Sequence, residues 1–424
     1  MGKSVTLDEW AAGRNVNFDD ETAEQAYRAR SARLQAAIEL EEPDRVPVAL
    51  TGGLLAADYG GISFETAMYD PSTLCEAVTD FTHDLQPDTL PGSFTPLARM
   101  LEELGFTLIN WPGGQLDPES PFQFVEDEYM KAEEYDDFLR DPTGYFLRTY
   151  APRIADGLEG FESLPILANP MFDSIIPAFG SPEVRESFET LLTAANKGFE
   201  DQMTQIQYEE KLKATGYPDI IGGISEAPFD ALSDTVRGTK GIMIDIRKRP
   251  EQLTAAMDLM TEFMIEIGIG TALESGTPFV FMPLHKGSDA FLSKADYREF
   301  YWPSLKAVIE GLTDAGLIPC LFAEGSYDER LEILDGELPD SEIMWWFDQT
   351  DMGAANRILG DQACLMGNVP AGLLKTGSPE EVHEYCVDLI DRAGPNGFIL
   401  RPGCTPNRAP AENLEAMIGA PKAD

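Results

Sequence analysis

Residues 279–324 read FVFMPLHKGSDAFLSKADYREFYWPSLKAVIEGLTDAGLIPCLFAE. Two short apolar runs, 279–285 and 317–324, flank a stretch (293–315) rich in helix formers. A strand, a helix and a strand of these lengths make a parallel pair with a right-handed crossover. The unit repeats on both sides. Strands are expected at DIIGGISE (219–226), IMWWFD (343–348), ACLMGN (363–368) and GFILRPGC (397–404). Helices are expected at 250–274, 326–334, 351–359, 378–393 and 409–418. VPVAL (46–50) and DTLPG (88–92) supply two earlier strands. Eight parallel strands alternating with helices predict an α/β protein built as a single (β/α)8 TIM barrel. No G-x-G-x-x-G loop opens any of the helices, which weighs against an open dinucleotide-binding sheet.

Two regions lie outside the repeat. Residues 1–42 read as an N-terminal helical extension, stopped by Pro43, with the barrel over 43–424. Near 105–160, TLINWPGGQL (107–116) and PFQFVEDEYM (121–130) alternate around Pro-Gly-Gly and predict an inserted hairpin region. Residues 62–85 and 181–215 read as helices.

The charge balance is 31 − 74 = −43. A chain this acidic is a poor partner for nucleic acid or an anionic membrane, which both need a positive surface. The acid is spread along the chain, as on a solvated surface. No run of 18 apolar residues appears, and the first twenty residues lack the basic start and apolar core of a secretory signal. A cytoplasmic protein is expected. Five cysteines without a C-x-x-C pair predict reduced thiols.

Most strands end in a polar residue of chemical use: Glu226, His285, Glu324, Asp348, Asn368 and Cys404. In a barrel the carboxyl ends of the strands converge on one mouth, where catalysis is placed. Glu324, His285 and Asp348 are therefore the candidate catalytic residues. Glu226, Lys286, Asn368 and Arg401 are the candidate substrate contacts. Each has a plainer reading. Glu324 could cap the next helix, and Asn368 could serve the turn fixed by Gly367 and Pro370. Asp351 is the better helix cap, which leaves Asp348 to the mouth. Cys404 could be a buried thiol. With His285 and Glu324 it would complete a three-ligand zinc set with an open fourth position. Cys320 and Cys364 lie inside apolar strands and read as core. His83 and His383 lie in expected helices.

PDRVPV (43–48), GNVPAGLLKTGSPEEVHEYCVDLID (367–391) and GFILRPGCTPNRAPAENLEAM (397–417) resemble uroporphyrinogen decarboxylase-like proteins. The resemblance runs from about residue 30 onward. It implies a barrel with one of two chemistries, decarboxylation of a porphyrinogen without a cofactor or methyl transfer linked to a corrinoid. The decarboxylases carry arginines after the first strand that hold substrate carboxylates. Here TGGLLAADYGG (51–61) has none. The methyltransferases carry H-x-C-G where this chain has LFAEG (321–325), so Phe322 and Glu324 replace a histidine and a cysteine. The late cysteine, Cys404, is retained. A glutamate in place of a thiolate makes a harder ligand set. The resemblance therefore implies a corrinoid-linked methyltransferase for a methylated ether, amine or thiol, zinc-assisted, with the corrinoid on a separate protein. No D-x-H-x-x-G cobalamin signature is present. The alternatives are a decarboxylase using Lys286, Arg401 and Arg408 to hold anions, and a non-catalytic tetrapyrrole- or corrinoid-binding barrel. Barrels of this kind commonly pair, so a homodimer is expected.

Overall fold

Short runs of β-branched, aromatic and other apolar residues bounded by Gly, Pro and Asp favour strands buried on both faces. The chain follows that pattern. A computed structural model describes residues 4–92 and 95–422. Strands β1 (Ile109–Asn110) and β2 (Gln123–Phe124) form a small antiparallel hairpin. The main sheet holds β3 (Gly223–Ile224), β4 (Phe279–Leu284), β5 (Ile318–Ala323), β6 (Met344–Phe347), β7 (Cys364–Val369) and β8 (Phe398–Pro402). All neighbours are parallel and stand in sequential order, β3-β4-β5-β6-β7-β8. Sequential order without a reversal is the order of a barrel, not of a doubly wound sheet.

The two remaining positions are filled by segments held with one or two backbone bonds to each neighbour. Ala49 N donates to Leu400 O and Leu400 N to Pro47 O, both at 2.9 Å, placing 46–50 beside β8. Asp88 N donates to Val48 O (2.8 Å), and Leu90 N donates to Pro218 O (2.7 Å), which leads back to β3. Pro47, Pro87, Pro91 and Pro218 lack the N–H a ladder needs, so these segments pair sparsely. The architecture is the α/β barrel expected.

Alternation decides what faces inward. Phe279, Ile318, Cys320, Met344, Trp346, Cys364, Met366 and Ile399 form the barrel interior. Trp10, Leu34, Ala37 and Ile38 of the N-terminal helices close its amino end, with Trp10 edge-on to Phe279 at 5.0 Å. Helix Glu21–Ile38 is fastened there by Asp88. That buried carboxylate accepts from Arg33 (2.7 Å), Arg45 (2.7 Å) and Val48 N (2.8 Å). Leu321, Trp345, Phe347 and Leu365 face outward into the layer beneath the surrounding helices.

Three details differ from expectation. Residues 62–85 form two helices, Phe64–Tyr69 and Pro71–Leu85, because Pro71 starts a new helix capped by Asp70. The region near 105–160 is mostly helical after its short hairpin. Pro112, Gly113, Gly114, Pro118 and Pro121 cut the strands short, and the acidic run beyond favours helix. Helices Pro228–Thr235 and Gly238–Lys248 stand in a stretch left without an expected element. Arg237 and Tyr135 both bond to Asp245, at 2.7 and 2.8 Å, which ties the inserted region to the barrel.

Candidate active site

The site grows from the end of β3. A Cβ at Gly223 would meet Ala272, and the Ser225 hydroxyl donates to Met264 O at 2.8 Å. Both positions face the surrounding helix Pro250–Ser275, so Ile224 and Glu226 face the barrel axis. Pro228 begins the next helix, where its missing N–H is harmless. Asp230 and Asp234 are four apart on that helix and share one face. The face lies against the end of β4.

Asp230 is fully buried and works as a clamp. It accepts from His285 N (2.9 Å), Lys286 N (3.0 Å) and the Tyr301 hydroxyl (2.6 Å). These bonds fix the turn that carries His285. The Asp234 carboxylate is paired with His285 Nδ1, which orients the ring. His285 Nε2 lies 3.9 Å from Glu324 Oε2, the residue that follows β5. Lys286 Nζ lies 3.6 Å from Asp234 and 3.9 Å from Glu126 of the inserted region. His285 and Glu324 are 38% and 53% exposed, so the cluster opens to solvent.

Its electrostatics follow from crowded carboxylates. Burial first, then the charges of Asp230 and Asp234, push the Glu226 carboxyl well above its usual range. Burial and then Asp234 do the same to Asp230. Burial opposes a charge on His285. The bond and charge of Asp234, with Asp230 and Glu324, outweigh it and raise the imidazole to about 9.

The other expected residues stand around this cluster. Asp348 accepts from Gly325 N (3.0 Å) and from Gln349 (3.2 Å), so it shapes the turn after Glu324. Cys404 stands near Asp348 and Glu324. Burial, then Asp348, push its thiol up to about 11. Asn368 is buried, and its side chain donates to Thr350 O at 2.6 Å, on the segment after β6. Arg401 pairs in register with Asn368 and is also buried, its guanidinium 3.4 Å from the centroid of the Trp346 ring. Arg401 Nε and Nη1 have no hydrogen-bond partner, and burial lowers its pKa to about 10. Arg408 is paired with Glu119 (2.7 Å) and Asp58 (3.5 Å). An aromatic row underlies the mouth, with Phe322 4.1 Å from Trp346 and stacked on Phe281 at 6.3 Å.

Glu226, Asp234 and His285 each offer a ligand atom, all within 4.8 Å of one another. That is the group of metal-ligating side chains that forms among the described residues. Of the zinc set expected from His285, Glu324 and Cys404, this group contains His285 alone. His285 faces Asp234 through Nδ1 and Glu324 through Nε2. With Phe322 and Glu324 at the H-x-C-G positions, a single cysteine remains, and the thiolate-rich zinc site of the methyltransferase resemblance does not fit this chain.

Asp230, Asp234, Glu126 and Tyr301 were not singled out from sequence. Asp230 and Asp234 did carry a signal, as acids at i and i+4 just after a strand end. A cleft at the opposite end of the barrel is lined by Trp10, Tyr27, Lys213 and Asp219. Its Lys213–Asp219 pair (2.6 Å) and the Trp10–Asp219 bond (3.3 Å) join the N-terminal helices to the barrel, away from the strand ends.

Residues 210–423 match the family model for uroporphyrinogen decarboxylase (URO-D). The chain belongs to the uroporphyrinogen decarboxylase family. The matched part runs from before β3 to the end of the described chain, so it contains Glu226, Asp230, Asp234, His285 and Glu324. Curated relatives are similar over less. The uroporphyrinogen decarboxylase of Coxiella burnetii is 28% identical over 135 residues, 30% of this chain and 36% of that one. That of Chlorobium phaeovibrioides is 30% identical over 134 residues, 30% and 37%. The chloroplastic enzyme of Zea mays is 32% identical over 116 residues, 26% and 28%. The chain thus spans about a third of the length of these relatives. Among solved structures, a methyltransferase from Methanosarcina mazei superposes with a TM-score of 0.62 at 18% identity, covering 94% of this chain and 98% of that one. The likeness establishes the shared barrel fold. No helix among the described residues is long and apolar enough to cross a membrane.

Proposed function

We propose that this URO-D family member is a methyltransferase. It would move a methyl group between a heteroatom of a small substrate and a corrinoid carried on a separate protein. The observation that carries this reading is the state of the mouth's cations. Holding a many-carboxylate porphyrinogen needs free guanidinium or ammonium groups. Lys286 lies near Asp234 and Glu126, Arg408 is paired with Glu119 and Asp58, and Arg401 is buried against Trp346. Carboxylates dominate what remains.

A corrinoid, when bound, supplies the nucleophile that accepts the methyl group. The chain's own residues act on the other side of the breaking bond. The departing oxygen, nitrogen or sulfur leaves with the bonding electron pair and must be stabilised there. His285 and Glu324 are placed for this at the open rim, with Asp234 and Asp230 holding His285 in position. The row of Phe281, Phe322 and Trp346 offers an apolar bed for the methyl-bearing part.

The test uses cob(I)alamin, a panel of methoxylated, methylamine and methylthiol donors, and detection of methylcobalamin. Turnover of one donor class is expected, falling by about 100-fold or more in Glu324→Gln. Release of carbon dioxide from a carboxylated substrate, with no methylcobalamin from any donor, would replace the reading with decarboxylation.

A further inference from the structure

We infer that Glu226, Asp234 and His285 form a binding site for a first-row divalent metal cation, held by two carboxylates and one imidazole without thiolates. The donors come from three elements that the fold brings together: the end of β3, the helix Pro228–Thr235 and the end of β4. Their ligand atoms lie within 4.8 Å of one another, a span that one ion bridges.

Three independent features favour a cation at this point. The first is mixed donor chemistry. Two carboxylate oxygens and an imidazole nitrogen suit zinc, cobalt, manganese or iron. The second is local charge. Glu226, Asp230, Asp234, Glu324 and Glu126 gather around His285 and Lys286, so a bound cation relieves repulsion among them. The third is the support behind the ligands. Asp230 is completely buried and holds the backbone of His285 (2.9 Å) and Lys286 (3.0 Å), as outer groups hold ligands at metal sites. The site is also reachable, since the side chains of His285 and Asp234 are 38% and 20% exposed.

This places the metal on the β3–β4 side of the mouth. The thiol of Cys404 and the carboxylate of Glu324 remain outside the ligand set. The metal would be bound through harder donors than a thiolate site provides, and would polarise an oxygen or nitrogen more readily than it would capture a thiol. The inference stands apart from methyl transfer, because metal binding is measurable without turnover.

The experiment takes the full chain, stripped with a chelator, and titrates it with cobalt(II) chloride and separately with zinc chloride. Visible absorption reads the cobalt environment, calorimetry reads affinity, and elemental analysis after desalting at high ionic strength reads stoichiometry. One equivalent per chain is expected, with a cobalt spectrum free of thiolate charge transfer. Glu226→Gln, Asp234→Asn and His285→Gln should each remove the tight equivalent. Asp230→Asn should weaken it by about 10–100-fold. Cys404→Ser should leave it unchanged. Far-UV circular dichroism and a urea transition confirm that each variant is folded, and the near-isosteric Glu226→Gln guards against a collapse of the site. Absence of a tight equivalent in the unsubstituted protein overturns the inference. So does a thiolate band that disappears in Cys404→Ser while Asp234→Asn binds normally.

Discussion

Replacing Asp230 by alanine tests the clamp beneath the site. The carboxylate accepts from two backbone N–H groups, His285 at 2.9 Å and Lys286 at 3.0 Å, and from the Tyr301 hydroxyl at 2.6 Å. Asp230 and Tyr301 are fully buried, while His285 and Lys286 reach solvent, so water can replace part of what alanine removes. A buried donor left without an acceptor costs about 1–3 kcal/mol, so three of them cost at most about 3–9 kcal/mol. Part is returned. Burial and Asp234 already push the Asp230 carboxyl up, so its deletion also removes a disfavoured charge. The expected loss is therefore in the lower half of that range, about 3–5 kcal/mol. Tyr301→Phe removes one donor together with its share of the bond, and should cost about 1 kcal/mol. Urea unfolding of the three proteins at neutral pH, followed by tryptophan fluorescence, gives both differences. An Asp230→Ala protein within about 1 kcal/mol of the parent, or a Tyr301→Phe loss as large as the alanine's, would refute the clamp.

Two further outcomes follow from the geometry. Arg401 is buried with two nitrogens, Nε and Nη1, unpaired, so Arg401→Met should leave stability unchanged or raise it by about 1–4 kcal/mol. A loss of more than about 2 kcal/mol in calorimetric or urea unfolding would show that the guanidinium is paired in the folded protein. In the inserted region, Glu134 is bonded to Arg153 (2.7 and 2.8 Å) and accepts from Tyr145 (2.9 Å). The Arg153 bond holds its carboxyl down to about 2, below the ordinary 4.5. A depressed carboxyl stabilises the fold above its unfolded pKa and loses that contribution as pH falls through the folded one. The stability gap between the parent and Glu134→Gln should thus be full above about pH 4.5 and close toward pH 2. A gap equally wide at both ends of that window would contradict the assignment.

The barrel was legible because its signals are local. β4 to β8 appear within one or two residues of the expected runs, since apolar stretches ended by polar residues and turns mark strands unambiguously. His285 and Glu324 were legible for the same reason, as residues just beyond strands whose ends converge. Depth was not. Alternation turns Arg401 inward, but only the packed structure shows its buried guanidinium lying over the Trp346 ring. The direction of a helix face was not legible either. Asp230 and Asp234 stand at i and i+4 in the sequence, yet nothing local says that they turn toward β4 and not toward solvent. Partner choice at His285 depends on that one orientation. With Asp234 at Nδ1, the ring presents Nε2 toward Glu324.

Whether the two rim residues work on one substrate atom is read most directly from a double-mutant cycle on kcat/KM with the best methyl donor. The parent, His285→Ala, Glu324→Gln and the double variant are compared. If both side chains serve the same departing atom, 3.9 Å apart as they are, the double variant should lose little more than the worse single one. Losses that multiply, as for two sites acting independently, would contradict the account.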